Sequence, residues 1–163
     1  MLIVLPPSET KAPGGTDAEM QLSFPSLDPV RTLLLDALTA TDVDTMMREL
    51  RIPAGKRAEA EENLTLRSAP VMPAIQRYTG VLYDALDAAS LSTDALSRLA
   101  VGSALFGVVR AGDLIPRYRI SGGSKLGGKT MKAWWGSAVT KVLAEGDFVV
   151  DMRSGAYQQL GPV

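Results

Sequence analysis

The first five residues, Met1 to Leu5, are apolar without a break, and Pro6 and Pro7 stop the run at once. A short run that is apolar at consecutive rather than alternate positions fits a central strand covered on both faces, hence a sheet with layers packed on either side. The run has no basic flank and is too short for a secretory leader. No stretch of the chain approaches the ~20 apolar residues that a membrane-spanning helix needs, so a soluble protein is expected.

Helical signals follow. Asp28 and Pro29 form a cap and first-turn proline, and Val30, Leu33, Leu34, Ala37 and Leu38 recur at helical spacing, predicting a helix from about Pro29 to Ala40. A second helix is expected after Thr41, with Met46, Met47 and Leu50 inward. A turn around Pro53 then leads to a third helix from Lys56 to about Leu66. Together, residues 41 to 66 read as an αα-hairpin. The charges Lys56, Arg57, Glu59, Glu61 and Glu62 read as a solvated face with i,i+4 support.

One helix is expected over Ala74 to Ala89 and a short one from Ser92 or Thr93 to Leu99. The segment LAVGSALFGVV reads as a buried strand with close backbone approach at its glycines. The glycine-rich stretch 111–130 reads as a long functional loop holding one short strand, RYRI at 117–120. Thr130 caps a last helix to about Ala144, and Phe148 to Met152 is a second central-strand candidate that turns into SGAYQQL. Helices between apolar strands give an α/β (α+β) class: one domain over 1–163, with a mixed central sheet flanked by helices.

Composition narrows the chemistry. Cysteine and histidine are absent, which excludes disulfides, thiolate nucleophiles, Cys/His zinc sites and histidine bases. The lack of cysteine fits a reducing compartment. Residues 1–105 hold 9 Lys and Arg against 14 Asp and Glu, whereas 106–163 hold 8 against 4. Such polarity suits an anionic ligand or nucleic acid on one side of the molecule, and equally a solvated surface with uneven charge.

Three constellations stand out. Ser8, Glu9, Thr10 and Lys11 follow the first strand, where ligands of open α/β sheets bind, although the P-loop pattern is not matched. Arg110, Asp113, Arg117, Tyr118, Arg119, Lys125, Lys129 and Lys132 are interleaved with glycines, a pattern suited to phosphate or carboxylate. Ser154, Gly155 and Tyr157 follow the last strand, but G-x-S-x-G is absent, so ligand hydrogen bonding or helix capping is expected of Ser154 rather than nucleophilic attack. Trp134 and Trp135 could stack on bases, or serve as core on an apolar helix face.

Four segments, MLIVLPPSETK, RYTGVLYDAL at 77–86, VGSALFGVVRAGDLIPRYRI at 101–120 and FVVDMRSGAYQQL at 148–160, together resemble the YaaA family of peroxide-stress proteins, in its actinobacterial form. The resemblance implies a cytosolic protein that protects DNA and proteins from hydrogen peroxide, is associated with lowered free iron, and binds duplex DNA through a basic cleft with a helix-hairpin-helix. Members of that family continue into further strands and a Lys-rich C-terminal motif, which is missing after Val163; with no His or Cys ligands, no cofactor is expected. Lys11, Tyr78, Tyr83, Arg110, Asp113, Arg119, Ser154 and Tyr157 match its motif positions and are the cleft candidates. Two ligand readings result. In the first, Arg110, Arg117, Arg119, Lys125 and Lys129 contact phosphates of double-stranded DNA; in the second, Ser8, Lys11, Arg110, Arg119 and Ser154 converge on a nucleotide or other anionic small molecule. A third reading is a scaffold whose activity needs the C-terminal part.

Overall fold

A computed structural model describes residues 1–163. Strand β1 (Leu2–Leu5) is followed by helices α1 (Asp28–Ala40), α2 (Val43–Glu49) and α3 (Arg57–Glu62). Then come β2 (Val71–Pro73), α4 (Ala74–Arg77), α5 (Val81–Leu86) and α6 (Thr93–Ser97). Strands β3 (Leu99–Ser103), β4 (Gly107–Arg110), β5 (Leu114–Pro116), β6 (Lys125–Leu126) and β7 (Lys129–Thr130) lead to α7 (Met131–Trp135), α8 (Ala138–Ala144), β8 (Val149–Asp151) and α9 (Gly155–Gln158).

The main sheet has the order β4-β3-β1-β8. Strand β1 runs parallel to β3 and β8, and β4 returns antiparallel to β3, so the sheet is mixed. The opening apolar run is therefore central, with Val4 and Leu5 buried. Val101 and Val108 of the sheet share one core with Leu34 and Leu38 of α1, Met131 and Trp135 of α7, and Val139 and Leu143 of α8. Met46, Leu50, Ile52 and Ala60 join the same core, so the α2–α3 segment is part of the body of the fold.

Several expected elements are divided. LAVGSALFGVV is a hairpin rather than one strand: Ser103 Oγ accepts from the Phe106 N–H at 3.1 Å and Gly107 takes φ 76. The helix expected over 74–89 splits at Tyr78–Gly80, where Tyr78 is extended and Gly80 has φ 113. The Thr130-capped helix breaks at Gly136, φ 53, before α8 resumes. Phe148–Met152 is an edge strand, not a central one, and Phe148 and Met152 are exposed.

RYRI forms no strand. Its backbone is bonded by a side chain instead: Asn63, fully buried, donates from Nδ2 to the Arg119 carbonyl at 2.7 Å and accepts from the Arg119 N–H at 2.9 Å. The strands of the 111–130 stretch lie elsewhere, in β5 paired with β2 and in the β6–β7 ribbon. Gly127 and Gly128, at φ 60 and 73, form the two-residue turn of that ribbon, where both positions need the left-handed region.

Three buried arginines brace this frame. Arg31 reaches from α1 to the Phe106 and Val108 carbonyls at 2.9 and 2.8 Å. Arg77 donates to the carbonyls of Ala12, Gly14, Pro70 and Ile115, which anchors the loop after β1. Arg153 grips Asp151 with two bonds and also donates to the Gly161 carbonyl at 2.7 Å. Its side chain passes so close under Gly102 that a Cβ there would stand 2.7 Å from Arg153 Cδ.

Candidate functional site

Because β1 and β8 are parallel neighbours, the loops that leave their carboxyl ends emerge at the same edge of the sheet. Such an edge is where open α/β sheets bind ligands. One loop brings Ser8, Glu9 and Lys11; the other brings Tyr157, on α9. Facing them are Arg51, at the end of α2, and the segment Arg119 to Ser124. Together they line a cavity of about 250 Å³.

Lys11 sits at its base, partly buried. Its Nζ donates to the Ser8 and Glu9 carbonyls at 2.8 and 3.2 Å and lies 4.5 Å from the Tyr118 ring centroid and 5.6 Å from that of Tyr78. Burial, then the nearby Arg119 charge, lowers its pKa to about 8, although Glu59 and Glu9 oppose this. Lys11 can therefore serve as an anion-binding ammonium at neutral pH and lose its proton under mildly alkaline conditions.

Behind Lys11 runs a chain of hydroxyls. Tyr78 and Tyr118 share a 2.7 Å hydrogen bond, and Tyr118 shares another of 2.7 Å with Ser103. Tyr83 stacks on Tyr78 and donates to the Pro6 carbonyl at 2.7 Å, fixing the start of the loop. Burial pushes all three tyrosines well above their usual pKa, and Tyr157 upward as well. These phenols act as neutral hydrogen-bonding groups, not as bases.

The arginines of the 111–130 stretch are paired. Arg119 Nη1 donates to Glu59 Oε2 at 2.9 Å, and Arg117 forms a two-bond pair with Glu62, its Nε lying 2.7 Å from Oε2. Glu59 and Glu62 are thus partners of the site rather than members of a solvated face, a role that becomes visible only once α3 is placed against the loop. A small chamber beside the main cavity is lined by Glu9, Lys11, Glu59, Glu62, Arg117 and Tyr118.

Of the residues expected at the site, Ser8, Lys11, Arg119 and Tyr157 line the cavity. Tyr78 and Tyr83 support it from behind, and Arg117 lines the side chamber. Lys125 and Lys129 are exposed on the β6–β7 ribbon, with Lys129 over the Trp134 ring at 4.5 Å. Trp135 is core, its Nε1 bonded to the Ala104 carbonyl at 2.7 Å. Ser154 occupies the N-cap position of α9 with no side-chain cap bond and does not line the cavity.

Arg110 and Asp113 lie elsewhere. Since β4 is antiparallel to β3, its end falls at the starting edge of the sheet, where Arg110 shares a groove with Met1, Phe24 and Phe148. The convergence of Lys11 and Arg110 on one ligand does not occur. Asp113 accepts from the Ser23 N–H and hydroxyl and from the Arg110 N–H, all within 2.9 Å, and so holds the turn after β4.

Arg51, Ser121 and Ser124 were not singled out by the sequence. Arg51 gave no signal because its backbone, at φ 54, is one that glycine normally takes. Ser121 and Ser124 are hydrogen-bonded to each other at 3.1 Å across a tight turn. No three His, Cys, Asp or Glu side chains are gathered as a metal would require, and no helix is long and apolar enough to cross a membrane.

The chain matches the family described as peroxide stress protein YaaA over residues 1–162. It is 56% identical to a UPF0246 protein of Corynebacterium efficiens, across all of this chain and 70% of the relative. With a UPF0246 protein of Streptomyces coelicolor the identity is 43%, over 96% of this chain and 66% of the relative. A UPF0246 protein of Shewanella baltica shares 32% over 96% of this chain and 68% of its own length. This chain belongs to the YaaA family of peroxide stress proteins.

Proposed function

We propose that this protein acts in the cytoplasmic response to peroxide and that its cavity at the finishing edge of the sheet binds a small anion. The observation that carries this reading is the convergence of Lys11, Arg51 and Arg119 on one cavity of about 250 Å³. That volume is below the 300–1,000 Å³ of typical drug-sized pockets, which favours a small ligand over a whole nucleotide. Arg51 has no carboxylate partner, and Arg119 spends only Nη1 on Glu59. Their remaining N–H groups suit a carboxylate or phosphate group. Calorimetric titration with inorganic phosphate and with propionate tests it: binding should be measurable in the parent protein and weakened at least about tenfold by Arg119→Gln. Equal affinities in the two proteins would remove the reading.

Duplex DNA binding is the second reading, favoured by one feature. Lys125, Lys129 and Lys132 are exposed, and none of them pairs with a carboxylate. Contacts to the phosphates of a duplex would come from these lysines rather than from Arg117 and Arg119, whose side chains are only 33% and 20% exposed and are paired with Glu62 and Glu59. Charge reversal of the three lysines should abolish duplex binding and leave binding of phosphate or propionate in the cavity intact.

A further inference from the structure

We infer that the ligand of this cavity is a small zwitterion of the amino-acid type, bearing a cationic amine beside its anionic group. The inference rests on the anion-binding reading above and extends it to the substrate class.

It comes from counting which charges at the site remain free. Glu59 is engaged by Arg119 and Lys56, and Glu62 by Arg117. Glu9 differs. It lines both the main cavity and the side chamber, yet its carboxylate forms no ion pair and no hydrogen bond; only its backbone carbonyl is used, by Lys11. The cavity therefore offers unpaired donors on Arg51 and Arg119 and the Lys11 ammonium, which is bonded only to carbonyls, together with one carboxylate, that of Glu9, which acts on Lys11 through space without a direct bond.

A ligand that is only anionic gains from the arginines but is repelled by Glu9. One that also carries an ammonium turns that repulsion into a second charge-assisted contact. Glu9 and Arg51 are exposed in the free protein, and a ligand seated between them covers part of each; a charge covered without a partner is costly, so a site holding both signs discriminates against ligands of one sign. The neutral Tyr157 phenol, which lines the same cavity, can accept from the amine or donate to the anionic group.

Propionate and L-alanine share a carbon skeleton and differ by the amine, so they isolate this contribution. Calorimetry on the whole chain should give L-alanine at least about tenfold tighter than propionate, a difference of about 1.4 kcal/mol. In Glu9→Gln, which alters an exposed and unpaired side chain, the two should bind within about twofold, with propionate and inorganic phosphate no weaker than before. An unchanged melting temperature confirms that the variant is folded. Equal binding of the two probes by the parent protein overturns the inference and leaves the anion reading standing, as does an alanine preference that survives Glu9→Gln. If propionate, phosphate and L-alanine all fail to bind, the anion reading falls and this inference falls with it.

Discussion

Arg51 holds a backbone conformation that most side chains avoid. It follows α2 at φ 54, and the bonds Ile52 N–H to Met47 O at 2.9 Å and Arg51 N–H to Arg48 O at 3.4 Å form a Schellman end, where glycine is the usual residue. The left-handed region costs a residue with a Cβ roughly 1–2 kcal/mol. Glycine would relieve this but give back about 0.5–1 kcal/mol through its greater freedom in the unfolded chain. Arg51→Gly should therefore stabilise the protein by about 0.5–1 kcal/mol. For a chain of this size that raises Tm by roughly 1–4 °C. The same change removes a guanidinium from the cavity wall and should weaken anion binding at least about tenfold, since a charge-assisted hydrogen bond contributes about 1.5–3 kcal/mol. Differential scanning calorimetry and titration with phosphate read the two effects separately. Arg51→Asn, which tolerates the left-handed region, should resemble the glycine variant in binding. A lower Tm in Arg51→Gly would show that the side chain supports the fold. Unchanged anion affinity would show that the strain does not serve the cavity.

Lys11 gives a pH signature. Its folded pKa of about 8 lies below the 10.5 of a free lysine, so anion affinity should be steady below pH 7 and fall as pH rises through 8, a step that Lys11→Arg removes. Over the interval from 8 to 10.5 the unfolded chain still holds this proton while the folded chain has lost it. The contribution of Lys11 to stability should therefore increase there, as urea melts at several pH values can show. Glu59→Gln should tighten phosphate binding several-fold by freeing the Arg119 guanidinium; weaker binding would show that Glu59 orients Arg119 for the ligand. Arg77→Met should cost about 3 kcal/mol or more, because the carbonyls of Ala12, Gly14, Pro70 and Ile115 lose a buried charged donor, and Tm should fall on the order of 10 °C.

Local signals in the sequence located most helices and the strands at both ends of the chain. The Pro29 first-turn proline, the Ser92 cap and the Thr130 cap are in place, since each acts within three or four residues, whereas Asp28 is already the first residue of α1 and pairs with Arg31 instead of capping. What escaped depends on contacts distant in sequence. RYRI reads as a strand by composition, but Asn63, 56 residues away, completes its backbone bonding. Arg110 looks equivalent to Arg119 in a basic stretch, and only the antiparallel return of β4 sends it to the other edge of the sheet. The Gly127–Gly128 turn was the exception. Two glycines between short polar segments are a local hairpin signal, present in the sequence and hidden among other glycines.

The charge imbalance between the two parts of the chain is spent largely inside the fold. Glu59 and Glu62 come from the acidic part and Arg117 and Arg119 from the basic part, and they neutralise each other where α3 meets the loop. Arg153 is buried against Asp151, and Arg110 faces away from the cavity. A surface field inferred from composition therefore overstates what a duplex would meet. The difference is measurable, because log K for B-DNA falls with log salt at a slope of about −0.9 per neutralised phosphate. If Arg110, Arg117, Arg119, Lys125 and Lys129 all made contact, the slope would be about −4.5. If the contacts come from Lys125, Lys129 and Lys132, it is about −2.7. A measured slope near −4.5 would mean that DNA breaks the Arg117–Glu62 and Arg119–Glu59 pairs on binding. The cost of exposing those carboxylates to phosphate makes that the outcome opposed by this geometry.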